Sequence, residues 1–240
     1  MNYVLFVWAD GIPAPEAMEV MQRDLPAWIQ EMDSRGVRLF GRELDLPETA
    51  ATVRVRDGET LVSDGPFAET KEFVAGIDLF DCADLDEAID VAAKTPVARF
   101  HPLEIRPVMS MALGERTSAF GRGDDSAGKP YLLAMWVGGA PAATFDERAV
   151  GQEGETWRAD LEARGLHVMG ARLQDANTAT TLRVRDGDTL LSDGPGVETE
   201  GFIGGIDVVS CTDREQAIEL AASHPVAGYH AIEVRPFWSE

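Results

Sequence analysis

Apolar positions along the first half of the chain follow two periods. Tyr3–Trp8 is an uninterrupted apolar run that suits a buried strand. Pro13 and Pro15 break it. Between Glu16 and Arg35, Met18, Met21, Leu25, Trp28, Ile29 and Met32 recur at spacings of three, four and seven, which predicts a helix with one apolar stripe. Gly36 is its stop signal, and Pro26 predicts a kink or the start of a second segment. Val37–Leu44 reads as a second strand. In Thr52–Arg56, Val53 and Val55 alternate with Arg54 and Arg56. Asp57-Gly58 is a favoured two-residue turn, and Thr60–Ser63 returns as the other arm of a hairpin. Phe73–Phe80 is a further strand, in which Ala75 and Gly76 permit close backbone approach. Asp84 and Glu87 form a capping box by type ahead of the helix Leu85–Lys94, whose inner stripe is Leu85, Ala88, Ile89 and Ala92. Pro96 ends that helix, and Leu103–Val108 is the last strand.

The same pattern then returns. Arg54-Val55-Arg56-Asp57-Gly58 reappears as Arg183-Val184-Arg185-Asp186-Gly187, and Ser63-Asp64-Gly65-Pro66 as Ser192-Asp193-Gly194-Pro195. Glu104-Ile105-Arg106-Pro107 reappears as Glu233-Val234-Arg235-Pro236. The offset is 129 residues for each of these motifs, as from Asp64 to Asp193, and Trp28/Trp157 and Gly36/Gly165 obey it. Chance similarity does not hold register over a whole unit, so the chain is a tandem duplication. The expected organisation is a first domain over 1–110, a linker over 111–129 and a second domain over 130–240. Met111–Lys129 is rich in Gly, Ser and charge and has no apolar period. As a flexible coil it would reach ~20–25 Å. Each repeat has the order β-α-β-β-β-α-β, an α+β unit of ferredoxin-like type. Such a unit leaves one sheet face open. The second copy is expected to cover it, so that two ferredoxin-like units form an intramolecular dimeric α+β barrel, a pseudo-dimer.

Charge narrows the choice of partner. The chain has 42 acidic against 21 basic residues and a formal net charge of −21, a field that repels phosphate backbones and argues against direct nucleic-acid binding. No apolar run is long enough to span a bilayer, and the opening run has no basic leader, so no membrane association is expected. Cys82 and Cys211 are too few for a disulfide framework, which points to a cytoplasmic location.

The loop Asp64-Gly65-Pro66-Phe67-Ala68-Glu69-Thr70-Lys71-Glu72, with the Arg-Val-Arg-Asp-Gly hairpin and the closing Glu104-Ile105-Arg106-Pro107, resembles the DGPF subgroup of the YCII-related family over each whole repeat. The resemblance implies a dimeric α+β barrel. It also implies two suspected functional positions: a His on the first helix and an Asp just before the Pro that ends the second. Here those positions fall near Leu25 and Gly154, and at Thr95 and His224, so a dyad of that kind is absent. Some relatives accompany alternative sigma factors, which implies an accessory or regulatory role. No sigma-like basic helical region is present here.

Candidate chemistry is sparse. Asp64, Phe67, Glu69, Lys71 and Glu72 crowd one loop that reads either as a ligand-binding element or as a structural turn with a solvated rim. In the second copy Gly196, Glu200 and Gly201 replace Phe67, Lys71 and Glu72, so a site in this loop is expected to centre on the first copy. Arg54 and Arg106 supply guanidinium groups for an anionic ligand or for pairing with local acids such as Glu104 and Asp78. His101 and His230 are equivalent and, with Ser63 and Asp64, provide nucleophile-and-base residue types without a nucleophile elbow. His224 is unmatched in the first copy and is the better general-base candidate. Four scattered histidines give no metal-ligand spacing, and no dinucleotide or phosphate-loop fingerprint occurs, so neither metal nor cofactor is expected. The leading expectation is a small-molecule-binding or accessory protein that forms a pseudo-dimer and is open to further oligomerisation. The alternative is a cofactor-independent enzyme using the cleft between the copies.

Overall fold

The computed structural model describes residues 1–68, 70–126, 128–138, 146–199 and 201–239. The first repeat contains β1 (Asn2–Ala9), α1 (Pro15–Ser34), β2 (Arg38–Glu43), β3 (Ala51–Arg56), β4 (Glu59–Asp64), β5 (Phe73–Asp81), α2 (Leu85–Lys94) and β6 (Leu103–Leu113). After the short α3 (Thr117–Gly121), the second contains β7 (Lys129–Gly138), α4 (Glu147–Ala163), β8 (His167–Leu173), β9 (Thr180–Arg185), β10 (Asp188–Asp193), β11 (Gly201–Cys211), α5 (Arg214–Ser223) and β12 (Ala231–Pro236). The fold is α+β, as the periodicities predict.

Local signals act where the sequence puts them. Gly36 takes a positive φ of 69°, and its N–H and that of Val37 close α1 on Asp33 O and Met32 O. Asp57 and Gly58, with φ of 52° and 80°, make the turn between β3 and β4 that their types favour. Asp84 caps α2 by accepting from Glu87 N–H, while Glu87 accepts from Ala83 N–H. Pro26 does not end α1, which is one helix over its whole length.

The chain packs as two compact units, and neither is a single repeat. Unit 1 is Met1–Glu43, Thr70–Met109 and Leu173–Glu198; unit 2 is Leu44–Glu69, Ser110–Arg172 and Thr199–Glu240. In unit 1 the antiparallel strands run β2-β5-β1-β6-β9-β10, and in unit 2 β8-β11-β7-β12-β3-β4. Each repeat thus lends its hairpin to the other's sheet. Leu182 of β9 is buried in the unit 1 core with Leu5, Trp28, Met32, Phe80 and Ile105. Ala51 and Val53 of β3 are buried in the unit 2 core with Leu133, Trp157, Val209 and Ile232. Sequence could not announce this exchange. Turn and alternation fix a hairpin locally, but β6 and β12 offer it edges of nearly identical sequence.

The segment read as a flexible linker is largely ordered structure. β6 continues to Leu113, and Phe120 on α3 is fully buried. Thr117 Oγ1 donates to Gly114 O and Val168 O at 2.8 and 2.6 Å. One large apolar anchor and a hydroxyl with two carbonyl partners outweigh the disorder-prone composition around them. Cys82 and Cys211 are buried free thiols, and burial pushes them up to about 11 and about 12. Among the described residues, no helix is long and apolar enough to cross a membrane.

Candidate functional site

The recurring motifs meet at a buried carboxylate in each unit. In unit 2, Glu233 Oε2 accepts from the backbone N–H of Phe67 at 3.1 Å, and Arg235 Nη2 lies 2.8 Å from Glu233 Oε1. In unit 1, Glu104 Oε2 accepts from Trp8 Nε1 at 3.1 Å, Arg106 Nη1 lies 3.3 Å from its Oε1, and the Gly196 N–H also points to it. Burial pushes the Glu104 carboxyl up against the opposing pull of Arg106. Gly65 N–H bonds Ala50 O, and Thr52 Oγ1 bonds Gly65 O; Gly194 and Thr181 repeat both contacts with Ala179. Gly65 and Gly194 hold φ of 94° and 84°, which explains the glycine after the aspartate. The Asp-Gly-Pro loop of one repeat is therefore pinned by the Glu-x-Arg-Pro strand of the other, and this accounts for the recurrence of both motifs.

What decorates the loops differs. Phe67 stacks on Trp136 at 5.2 Å between centroids, and Arg54 Cζ sits 5.4 Å from the Phe67 ring centre. At Gly196 a Cβ would overlap Thr181, so that position has no room for the counterpart of Phe67. Asp64 is exposed and pairs with Arg214 at 2.8 Å.

A second carboxylate, half-buried at Asp78 and buried at Asp207, sits on the strand that follows each loop, and here the repeats diverge in chemistry. In unit 1, Asp78 is held by the Arg38 guanidinium, with Nε at 2.6 Å, while Arg38 Nη2 donates to Gly41 O. In unit 2 the counterpart Asp207 faces His224 Nε2 at 3.5 Å, His167 Nε2 at 3.8 Å and Arg158 Nη1 at 3.9 Å. Gly41 and Gly170 lie opposite these aspartates in the ladder, and a Cβ at either would overlap the carboxylate. The Trp157 ring meets the His224 ring edge-on at 4.6 Å, and its Nε1 donates to Ser223 Oγ. Burial raises the Asp207 carboxyl, but contact with both imidazoles and the charge of Arg158 bring it below the usual range.

Aligned at the repeat offset, four changes surround this retained carboxylate: Leu25 to Gly154, Ile29 to Arg158, Arg38 to His167 and Thr95 to His224. Leu25 and Ile29 pack on the unit 1 core. Their replacements remove bulk from α4 and add a cation there. Gly151 and Gly154 inside a helix each cost about 1 kcal/mol relative to Ala, a cost that propensity alone would not retain.

The tautomer of His224 follows from its surroundings. Its Nδ1 accepts from Val226 N–H at 3.1 Å, which leaves the proton on Nε2, facing Asp207. Nδ1 is thus engaged, while Nε2 faces Asp207 at 3.5 Å without a hydrogen bond. His167 makes no hydrogen bond to another described residue through either ring nitrogen.

The other expected residues are spread over the two units. Arg54, Asp64 and Phe67 belong to unit 2, whereas Lys71, Glu72 and Arg106 belong to unit 1. Lys71 pairs with the exposed Asp10 at 3.0 Å, and Arg106 is committed to Glu104 and to Gln174 O. Glu69 and Glu200 lie outside the described residues. His101 is half-buried in unit 1 and His230 is buried in unit 2; burial pushes both imidazoles down, toward the neutral form. Ser63 is exposed on β4. Sequence reasoning missed Asp207, His167 and Arg158. The signal that could have found them was the comparison of Arg38 with His167 and of Ile29 with Arg158 around an aspartate common to both copies.

The model of the YCII-related domain matches residues 1–112 and again 132–239. The chain belongs to the YCII-related family. A relative from Rhizobium meliloti (strain 1021), "Uncharacterized protein R00369", is 49% identical over 106 residues, which is 43% of this chain and 85% of that one. Among solved structures, the crystal structure of putative chlorite dismutase TA0507 aligns with a TM-score of 0.43 and 7% identity, over 99% of this chain and 94% of that one. In this YCII-related protein the two positions marked by the family resemblance, Gly154 and His224, border the Asp207 cluster.

Proposed function

We propose that the protein binds a small polar molecule through unit 2, at the cluster of Asp207, His167, His224 and Arg158. One observation carries this reading: four concerted replacements turn an apolar, permanently ion-paired setting into a small-residue, titratable one around the same aspartate. A purely structural carboxylate is already served by the arrangement of Arg38 and Asp78, and it needs neither two imidazoles nor glycines in the covering helix. Arg158, partly exposed at its side chain, is the member of the cluster that solvent reaches. Phe67, Arg54 and Asp64 lie in the same unit and belong to this proposal as an outer contact surface. A barrel-like pseudo-dimer and an accessory role alongside a sigma factor fit the family resemblance and are part of the same reading.

A second reading is catalytic. An imidazole beside a buried carboxylate is the set of groups that proton transfer requires. His167, with its nitrogens uncommitted, would exchange the proton, and Asp207 would orient it and balance its charge.

The test is a thermal-shift screen of small polar metabolites on the full chain and on Gly154→Leu, which restores the first-copy residue. Compounds that raise the wild-type melting temperature are expected to lose that effect in the variant. Equal shifts in both proteins would refute the assignment. Turnover of a binding compound, followed by proton NMR, would favour the catalytic reading.

A further inference from the structure

We infer that unit 1 carries a separate binding site for a small organic or inorganic oxyanion, in a cavity lined by Arg99 and Arg185. The cavity measures about 500 Å³ and is bounded by Arg99, Val184, Arg185, Asp186 and Gly187. It lies where the turn of the β9–β10 hairpin meets the short 3-10 turn Pro96–Arg99.

Unit 2 shows what this place looks like when closed. There Arg56, the counterpart of Arg185, lays its guanidinium on the chain after α5. It donates to Ala227 O, Gly228 O and Tyr229 O at 3.2, 3.1 and 3.3 Å. No charged side chain competes with it there, because the facing residue is Gly228. In unit 1 the same position is Arg99, whose own guanidinium turns toward Asp24 at 3.6 Å. Two like charges cannot share the space that Arg56 fills alone, and Arg185 is left exposed with no hydrogen bond or ion pair to any described residue.

The outcome is an open cavity lined by the unpartnered Arg185 and by Arg99, with an aliphatic wall at Val184. Asp186 at the rim offsets one charge and leaves the lining net positive in a chain whose net charge is −21. A planar guanidinium matches carboxylate and phosphate oxygens through paired hydrogen bonds, so the ligand class is a small carboxylate or phosphate.

Inorganic phosphate and succinate, titrated separately by calorimetry into the full chain, distinguish the two sources of oxyanion. At least one is expected to bind saturably. Arg185→Ala should weaken it roughly tenfold, the loss expected when one contact of ~1.4 kcal/mol is removed. Arg99→Gly should weaken it similarly, by letting Arg185 fold back as Arg56 does. Arg183→Ala, an exposed neighbour outside the cavity lining, should leave binding unchanged. All three substitutions are at exposed positions, and unchanged melting curves would show that the fold is intact. Absence of saturable binding for both probes, or equal weakening by Arg183→Ala, would overturn the inference.

Discussion

Asp207 concentrates the argument at the scale of single residues. Its carboxyl is held below the ordinary 3.8 by imidazoles and a guanidinium that outweigh the effect of burial. A lowered folded-state value contributes stability that is present above the unfolded value and is lost as pH falls through the lowered one. Asp207→Asn is therefore expected to cost about 3–5 kcal/mol near neutral pH, the usual effect of breaking a buried charge pair. The difference from wild type should shrink only below pH 3.8. Urea midpoints of the two proteins across that range check both points, and a pH-independent difference would show that the histidines do not hold the carboxylate. The residue types at this cluster were visible in the sequence. Their proximity was not, because it depends on the register of β8 against β11 and on where α4 and the end of α5 lie against them.

Among elements, local signals read well. The α2 cap, the Asp-Gly turns, the glycine stops and the alternation in β3 are decided within a few residues, where sequence contains the needed information. Two elements departed. α1 continues through Pro26, and the expected linker folds around Phe120. The larger departure is the exchange of hairpins, a long-range choice between two edges of like sequence. It makes a prediction about cores. Leu182 lies in the second repeat but is buried in unit 1, so Leu182→Ala should cost about 2–5 kcal/mol there. Hydrogen exchange should show protection lost in β1 and β6, which belong to the first repeat. Loss confined to β7, β11 and β12 would contradict the exchange.

For the whole molecule, duplication has two consequences. Interleaving makes each unit depend on both repeats, so each repeat keeps the Asp-Gly-Pro loop and the Glu-x-Arg-Pro strand that the other requires. Beyond that shared frame the copies are free to differ, and three of the places where they do are the Phe67 loop, the Arg99 cavity and the Asp207 cluster. The loop was the most legible of these in sequence because its motif is conspicuous. Its recurrence, however, has a structural cause in Glu104 and Glu233. The Asp207 cluster was the least legible, since its members are dispersed over four elements and only an alignment of the halves collects them. The most direct measurement compares ligand-induced thermal shifts in two full-length variants. One carries Arg158→Ile, His167→Arg and His224→Thr, which return the cluster to its first-copy form; the other carries Phe67→Gly, which gives the first loop its second-copy form. Loss of the shifts in the cluster variant, with at most a partial reduction in the loop variant, which removes only an outer contact, is the expected result. Retention in the cluster variant with loss in the loop variant would place the site in the loop and contradict the account.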